Sequence, residues 1–549
     1  MPFGILEDHK MEVVPGTAAM RDQGDLPPEL QDIPPERLKH GKGKYSHILL
    51  VPQPSDSPND PLNWPTWKKD AILLIVGFAS AVVGAYGPML GPGFVPISKE
   101  LGVSVNTLSQ ATAWVILTLG LCVFIINPFA KLFGKRPMYL LTIVLLVIVS
   151  IWGAEAHTYK SFLGSRIIGG IGMAPYEVLV QATIGDMYFV HERATRIAVW
   201  NLFLTCGICG ASFVSGYIID NLGYHWTFGV CGILFGVSLI GIVFFVPETS
   251  FNRPPVNLNA IVREGKYNSD DDLGTKKGAL PEHTEELAVE HPGPSEPKIS
   301  YWQTVLPWTG QRYSRAPVWK VFSRPIVMFF CYPAVVWGFL IYGTTLTWIV
   351  VFSVVNGVLF LQPPYNFSVS QVGLTGLSPL ILVLISEVIS GPLNDWLCLK
   401  LAHRNHGVYE PEFRLVLMVV VIIIGCAGFY GFGVTFHNQT HWAGPVLTYG
   451  IANATLAFAG VCVFGYILDS FPHLAEEAFV AINSRNFLTF GLTFFVNDWI
   501  ASKGVLSVFN VLGSCLLAVC LLTIPLWIYG KRNRSWIARN EFLKDFMTD

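Results

Sequence analysis

Charge is what this chain has least of. Asp, Glu, Lys and Arg make up 13% of its 549 residues, about half the roughly 25% that a soluble protein carries. The charges nearly cancel to a formal net −2, and no basic stripe points to nucleic acid. No Gly-x-x-x-x-Gly-Lys-Ser/Thr loop is written, so no phosphate-cradling ATP engine of that type is expected. A His box and a Gly-x-Ser-x-Gly elbow are also missing, and the chain reads as a non-enzyme without metal or cofactor. Ten cysteines are present, mostly inside apolar runs. Cys206-x-x-Cys209 has a redox or metal spacing but no second ligand pair, so small buried residues are the simpler reading. The polar, Pro-rich first 66 residues lack the basic and apolar regions of a cleaved signal peptide. They read as a disordered cytosolic tail, 1–66.

What the chain has instead is apolar length. Hydrophobic residues reach 52% and mean hydropathy is +0.48. They are segmented into runs near the roughly 20 residues that cross a bilayer. Twelve spans are predicted, near 71–92, 106–129, 138–156, 162–184, 196–219, 225–246, 326–354, 373–394, 415–436, 444–468, 478–499 and 504–529. The fold class is an all-α polytopic membrane protein, with the lipid bilayer as its surroundings.

Orientation follows from the short loops. Lys131, Lys135 and Arg136 follow the second span, Arg193 and Arg196 the fourth, and Lys400, Arg404 and Arg414 the eighth. Lys531, Arg532, Arg534 and Arg539 follow the twelfth, while the other side offers little beyond Lys99, Lys160 and Lys503. Positive charge stays inside, which puts both termini in the cytosol. The sequons at Asn366 and Asn438 then fall in outer loops as candidate glycosylation sites. The domain reading is a six-helix bundle over 67–249, a cytosolic linker over 250–322, a second bundle over 323–530 and a cytosolic C-terminal tail over 531–549. Within the linker, SYWQTVLPWTGQRYSRAPVWKVF is either a segment lying on the membrane surface or a plain connector.

The halves repeat one another. NPFAKLFGKRP closes the second span and GPLNDWLCLK the eighth, with Lys131 where the later copy has Asp395. GDMYFVHERA closes the fourth with Asp186, Glu192 and Arg193, and LDSFPHLAEEA closes the tenth with Asp469 and the pair Glu476-Glu477. Duplicated halves around a central site are how many secondary transporters are built.

These residues resemble the major facilitator superfamily. NPFAKLFGKRP is similar to its loop signature Gly-x-x-x-Asp-Arg-x-Gly-Arg-Lys. Gly134, Lys135 and Arg136 are kept, while Asn127, Lys131 and Leu132 replace Gly, Asp and Arg. Arg166 in RIIGGIG resembles the helix-four arginine signature. VPETSFNRP, HGVYEPEFRL, IYGKRNR and the opening FGILEDHKMEVVPGT resemble a fungal branch that includes 12-span drug:proton antiporters and cation or polyamine carriers. The resemblance implies two pseudo-symmetric six-helix bundles around a cavity that opens alternately to each side. In that family the loop acid latches the cytosolic side, so the Lys131 substitution implies either a latch remade toward Asp186 or Glu192, with Asp395 keeping the ordinary role, or an inert lysine facing solvent. Gly134, Lys135, Arg136, Arg193 and Asp469 join them as gating candidates. In antiporters of the family, helix five carries a Gly- and Pro-containing stretch. GICGASFVSGYI keeps the small residues, which predicts close packing, but lacks the Pro.

Charges inside the spans mark the candidate site. Glu177 lies nine residues before Asp186 and Glu387 eight before Asp395, which puts them roughly 13 and 12 Å into the membrane. A carboxylate there is costly and faces a cavity or a partner. Glu177 is read as binding a cationic substrate or a proton, with Arg166 on the same helical face tuning its charge; the plainer reading, for Glu387 as well, is a structural group satisfied by neighbouring helices. Asn201 and Asn486 are pseudo-symmetric cavity candidates. Arg485 either snorkels, pairs with Glu476 or serves the cavity. Tyr342, Trp348 and Asn453 are weaker cavity candidates, as is Tyr86.

The resulting expectation is a monomeric, proton-coupled transporter of a small organic molecule at the plasma membrane. Export of a drug-like compound or secondary metabolite leads, uptake of a cation such as a polyamine stands second, and a substrate sensor without transport is a remote third.

Overall fold

The computed structural model describes residues 4–8, 10–11, 14–19, 54–55, 57–251, 297–314, 316–405 and 407–547. Among these described residues, twelve helices are long and apolar enough to cross a membrane. They are α1 (Thr66–Glu100), α2 (Val105–Phe133), α3 (Lys135–Ala154), α4 (Tyr159–Met187), α5 (Thr195–Leu222), α6 (Tyr224–Phe245), α7 (Pro333–Leu359), α8 (Val369–Arg404), α9 (Pro411–His437), α10 (Ala443–Ser470), α11 (Ala475–Lys503) and α12 (Val505–Arg539). Each overlaps one predicted run, and the chain is a multi-pass membrane protein. The N-terminal segment meets the end of α12, Leu6 N donating to Ile528 O at 3.0 Å. That face is the tail side, and the opposite one is the far side.

Local sequence sets where helices begin and break. Ser104 accepts from Thr107 N at 3.1 Å and Thr158 from Ser161 N at 3.4 Å, so each satisfies an orphan N–H at a helix start. The helix Ala475–Ile482 gives way at Asn483 and Ser484 and restarts at Arg485, all within α11. The polar run NSRN therefore turns into a helix start deep in the membrane, tolerated because it is enclosed by protein.

Burial repeats every third helix. In their most apolar stretches α1, α4, α7 and α10 are 61, 72, 78 and 72% buried, against 39, 28, 44 and 33% for α3, α6, α9 and α12. The first set builds the centre and the second meets lipid, through side chains such as Ile148, Ile240, Ile423 and Leu521. This is the two-bundle arrangement of six helices each.

Small residues let helices touch at their backbones. A Cβ at Gly207 would run into the Ala81 carbonyl, so α5 lies directly on α1. The close packing expected of GICGASFVSGYI is present without a proline. Gly216 of α5 and Gly373 of α8 meet in the same way across the two bundles.

The tails differ from their expected description. Of residues 1–66, those at 20–53 lie outside the described residues, but others are packed. Ile5 and Val14 are 0 and 3% exposed, and β1 (Ala18–Ala19) pairs antiparallel with β2 (Val408–Tyr409). Two aliphatic anchors in a polar stretch were too sparse to stand out in composition. At the other end, α12 continues to Arg539 rather than stopping at 530. No breaker interrupts KRNRSWIAR, and Arg534 is buried between Glu410 and Glu412 at 3.0 and 2.7 Å. The linker residues 252–296 also lie outside the described residues. After them come a short helix, Tyr301–Thr304, and a helix Val318–Cys331 that leads into α7.

Candidate functional site

A cavity of about 100 Å³ lies between the bundles, walled by α1, α2, α4, α5, α7, α10 and α11. Val83, Val115, Leu119, Ile208, Leu346 and Val350 make most of its surface apolar. Glu177, Arg485, Asn486, Asn453 and Thr489 supply a polar wall. Few, convergent polar groups in an apolar concavity are the usual make-up of a small-molecule site.

Glu177 and Arg485 face each other across the bundle boundary, Arg485 Nη2 donating to Glu177 Oε1 at 2.5 Å. Asn486 Nδ2 donates to the other carboxylate oxygen at 3.4 Å, and its Oδ1 accepts from Arg485 Nη1 at 3.0 Å. The guanidinium lies over the Tyr342 ring, 5.2 Å from its centroid. Nε of Arg485 has no hydrogen-bond partner among the described residues. Burying two charges is tolerable because they pair and share hydrogen bonds. The expected partners differ. Arg485 holds Glu177 rather than Glu476.

Arg166 shares a helical face with Glu177 but not its depth. Eleven residues are roughly 16 Å of helix, too far for direct contact. The Arg166 guanidinium instead donates to Tyr86 O at 2.8 Å and Gly87 O at 2.9 Å. It packs 4.7 Å from the centroid of the Tyr86 ring, where it ties α4 to the helix break in α1.

Glu387 lies apart from the cavity wall. Its Oε1 accepts from Asn201 Nδ2 at 2.7 Å, a bond from α5 to α8 across the bundles. No Lys or Arg pairs with it among the described residues. Asn453 lines the cavity and donates to Tyr449 O at 2.8 Å. Trp348 does not line it; it is buried with its indole N–H unpartnered. Tyr342 reaches the site only through Arg485.

On the tail side Lys131 reaches Glu477 of α11 at 2.5 Å, and Asp186 takes Lys135 at 2.6 Å. The latch expected to turn toward Asp186 or Glu192 is thus centred on the other bundle. The exchange of Asp for Lys is answered by an acid on the facing helix. Glu192 sits in the first turn of the helix leading into α5. Arg193 caps the end of α4 through Gly185 O at 2.6 Å and Tyr188 O at 3.0 Å. Arg136 donates to the last carbonyls of α6, including Val243 O at 2.8 Å, and to Val305 O of the linker at 2.7 Å. Gly134 supplies the positive φ, 102°, that turns α2 into α3.

The second bundle has its own corner. Arg414 Nε and the Tyr409 hydroxyl both reach Asp469 at 2.5 Å, while Asp395 is a looser partner of Arg414 at 3.5 Å and largely exposed. Burial, with the neighbouring Asp469 carboxylate, holds the Tyr409 phenol well above its ordinary pKa, so it stays a donor.

On the far side Asn106 of α2 bonds Asp498 of α11, and Asn497 reaches Ser109 at 3.2 Å. The bundles therefore touch on both sides of the cavity. Asn366 and Asn438 are exposed in far-side loops. Sequence reasoning passed over Asn106, Asp498 and Tyr409. NDWI at the end of the eleventh run was the available sign of a polar contact there.

A family model described as Major Facilitator Superfamily matches residues 72–494. Protein HOL1 of Saccharomyces cerevisiae is 25% identical, over 91% of this chain and 92% of its own length. The MFS-type transporter penM of Penicillium rubens is 26% identical over 87% of this chain and 88% of its own. The MFS antiporter QDR3 of Candida albicans is 23% identical over 89 and 81%. The solved proton:xylose symporter XylE aligns with a TM-score of 0.57 at 14% identity, over 84% of this chain and 96% of its own, a likeness of fold.

Proposed function

The chain belongs to the Major Facilitator Superfamily, carriers of small molecules, and from that premise we propose that it exchanges an amphipathic organic cation for protons by alternating access. The observation that carries this reading is the Glu177–Arg485 ion pair set in a mostly apolar cavity. A ligand amine competes with the guanidinium for the Glu177 carboxylate, and the aliphatic walls take up its apolar part. Because α4 and α11 belong to different bundles, a cation that displaces Arg485 loosens them there. The ligand then has the differential affinity for closed and open forms that any population shift requires.

Glu387 is assigned to the proton. It crosses to the other bundle through the Asn201 amide, and among the described residues no Lys or Arg pairs with it. Taking up a proton lets it shed its charge when the bundles part. The tail side, with its surplus of Lys and Arg, faces the cytosol, and the plasma membrane is the site of action. Export of a drug-like compound or secondary metabolite is the leading direction, in keeping with the apolar walls and with a relative named as an antiporter. Uptake of a cation such as a polyamine is the second reading, favoured by two mid-helix acids rather than one.

The test is uptake into proteoliposomes of matched pairs, each an amphipathic amine and its neutral isostere. Selective movement of the amine supports the assignment. Equal movement of both removes the role given to Glu177, and binding without any flux marks a sensor.

A further inference from the structure

Residues 4–8 and 14–19 lie against the tail-side face of the second bundle, and carriage through the cavity explains none of their contacts. Ile5 is fully buried with Cys398, Ala402 and Phe413. Lys531 Nζ bridges Glu7 at 3.2 Å and Glu410 at 2.7 Å. Asp8 accepts from Ser535 Oγ at 2.5 Å. The Pro15 carbonyl takes a hydrogen bond from Arg534, and the Thr17 hydroxyl donates to Glu410 Oε2 at 2.7 Å. The β1–β2 ladder closes the attachment.

The receiving face is built for an occupant. Glu410, Glu412 and Arg534 are each no more than 1% exposed. A buried charge cluster is sound only with every member partnered. Here a backbone carbonyl and a hydroxyl from the N-terminal segment complete the set.

The segment also reaches the gate. Gly16, at φ +87°, stands on the Asp469 carbonyl, where an added Cβ would come within 2.7 Å. Asp469 holds Arg414 and Tyr409. Eight residues beyond it in the chain, across the turn at Pro472–Leu474, is Glu477, the partner of Lys131 in the other bundle. The segment therefore touches the last turn of α10, from which the chain turns into the helix that carries Glu477.

We propose that residues 4–8 and 14–19 are a releasable strap on the second bundle, and that their docking sets how readily the tail-side gate opens. The strap does not depend on which substrate or ion is carried.

The test uses the full-length protein in lipid nanodiscs, labelled with a hydrophilic maleimide and read site by site by mass spectrometry. Cys398, covered by Ile5, reports undocking. Cys209, in the cavity wall, reports opening. Gly16→Ala lifts the strap from Asp469 by steric conflict, and Thr17→Val removes only its hydroxyl bond to Glu410. The milder variant keeps the test available if the glycine variant does not fold. Labelling of Cys398 and Cys209 is expected to rise together, roughly tenfold for Gly16→Ala and less for Thr17→Val. A rise at Cys398 alone would make the strap a passive cover and overturn the proposal, as would no rise at either site.

Discussion

Arg485 of α11 holds Glu177 of α4 across the boundary of the two bundles, Nη2 to Oε1 at 2.5 Å, inside the cavity that both residues line. Arg485 is 3% and Glu177 16% exposed, so each depends on the other more than a surface pair does.

Removing one partner should therefore hurt more than removing both. Arg485→Ala leaves a carboxylate, 16% exposed in the cavity wall, without its cation, and a loss of about 2 kcal/mol of stability is expected. In the double variant Glu177→Gln/Arg485→Ala much of that loss should return. Thermal unfolding in detergent across the four-protein cycle measures the coupling, and strictly additive losses would dissolve the pair as described.

Lys131 and Glu477 form an ion pair between the bundles on the tail side, the pair we propose as the latch. Glu477 alone changed to Lys sets a third cation against Lys131 and the buried Arg324, which lies 4.0 Å from Glu477, and should open that side, raising maleimide labelling of Cys209. The swap Lys131→Glu/Glu477→Lys should restore protection. The coupling expected for such a half-buried pair is about 1 kcal/mol, a several-fold change in labelling. If the swap labels as fast as the single variant, the pair is not the latch.

The two acids should separate in their effects. Glu387→Gln should leave affinity for a transported amine within about threefold while removing the dependence of its movement on a pH gradient. Glu177→Gln should weaken amine binding itself. Binding by calorimetry and flux at two pH values distinguish them, and identical phenotypes would void the division of labour.

Gly207 carries the contact of α5 on α1. Gly207→Val drives a branched side chain into the Ala81 backbone, and a loss of about 3 kcal/mol or more, seen as reduced monodisperse yield, is expected. A well-folded Gly207→Val protein would mean that the helices have room to separate.

Much of the fold was legible in the sequence because apolar length is local. Each of the twelve runs declared itself without reference to any other. The partners were not, because they depend on how helices rotate and how deep each residue sits. Lys131 and Glu477 are 346 residues apart, and the loop sequence carried the charge reversal but not its answer. Arg166 fell on the right face of α4 yet three turns from Glu177. The Glu177–Arg485 contact was hidden for a further reason: Arg485 stands where α11 restarts after a break at Asn483 and Ser484, which the apolar run did not announce. The strap was written in FGILEDHKMEVVPGT, but a polar composition around Ile5 and Val14 read as disorder.

The most direct test of the central claim is substrate-driven proton flux in proteoliposomes, with an amine found to be transported and with Glu177→Gln and Glu387→Gln alongside. The account requires protons to move opposite to the amine in the native protein, net amine movement to fail in Glu177→Gln, and amine exchange to continue without proton movement in Glu387→Gln. Amine flux that ignores the proton gradient and survives both substitutions would contradict it, leaving a uniporter in which the two acids only hold helices together.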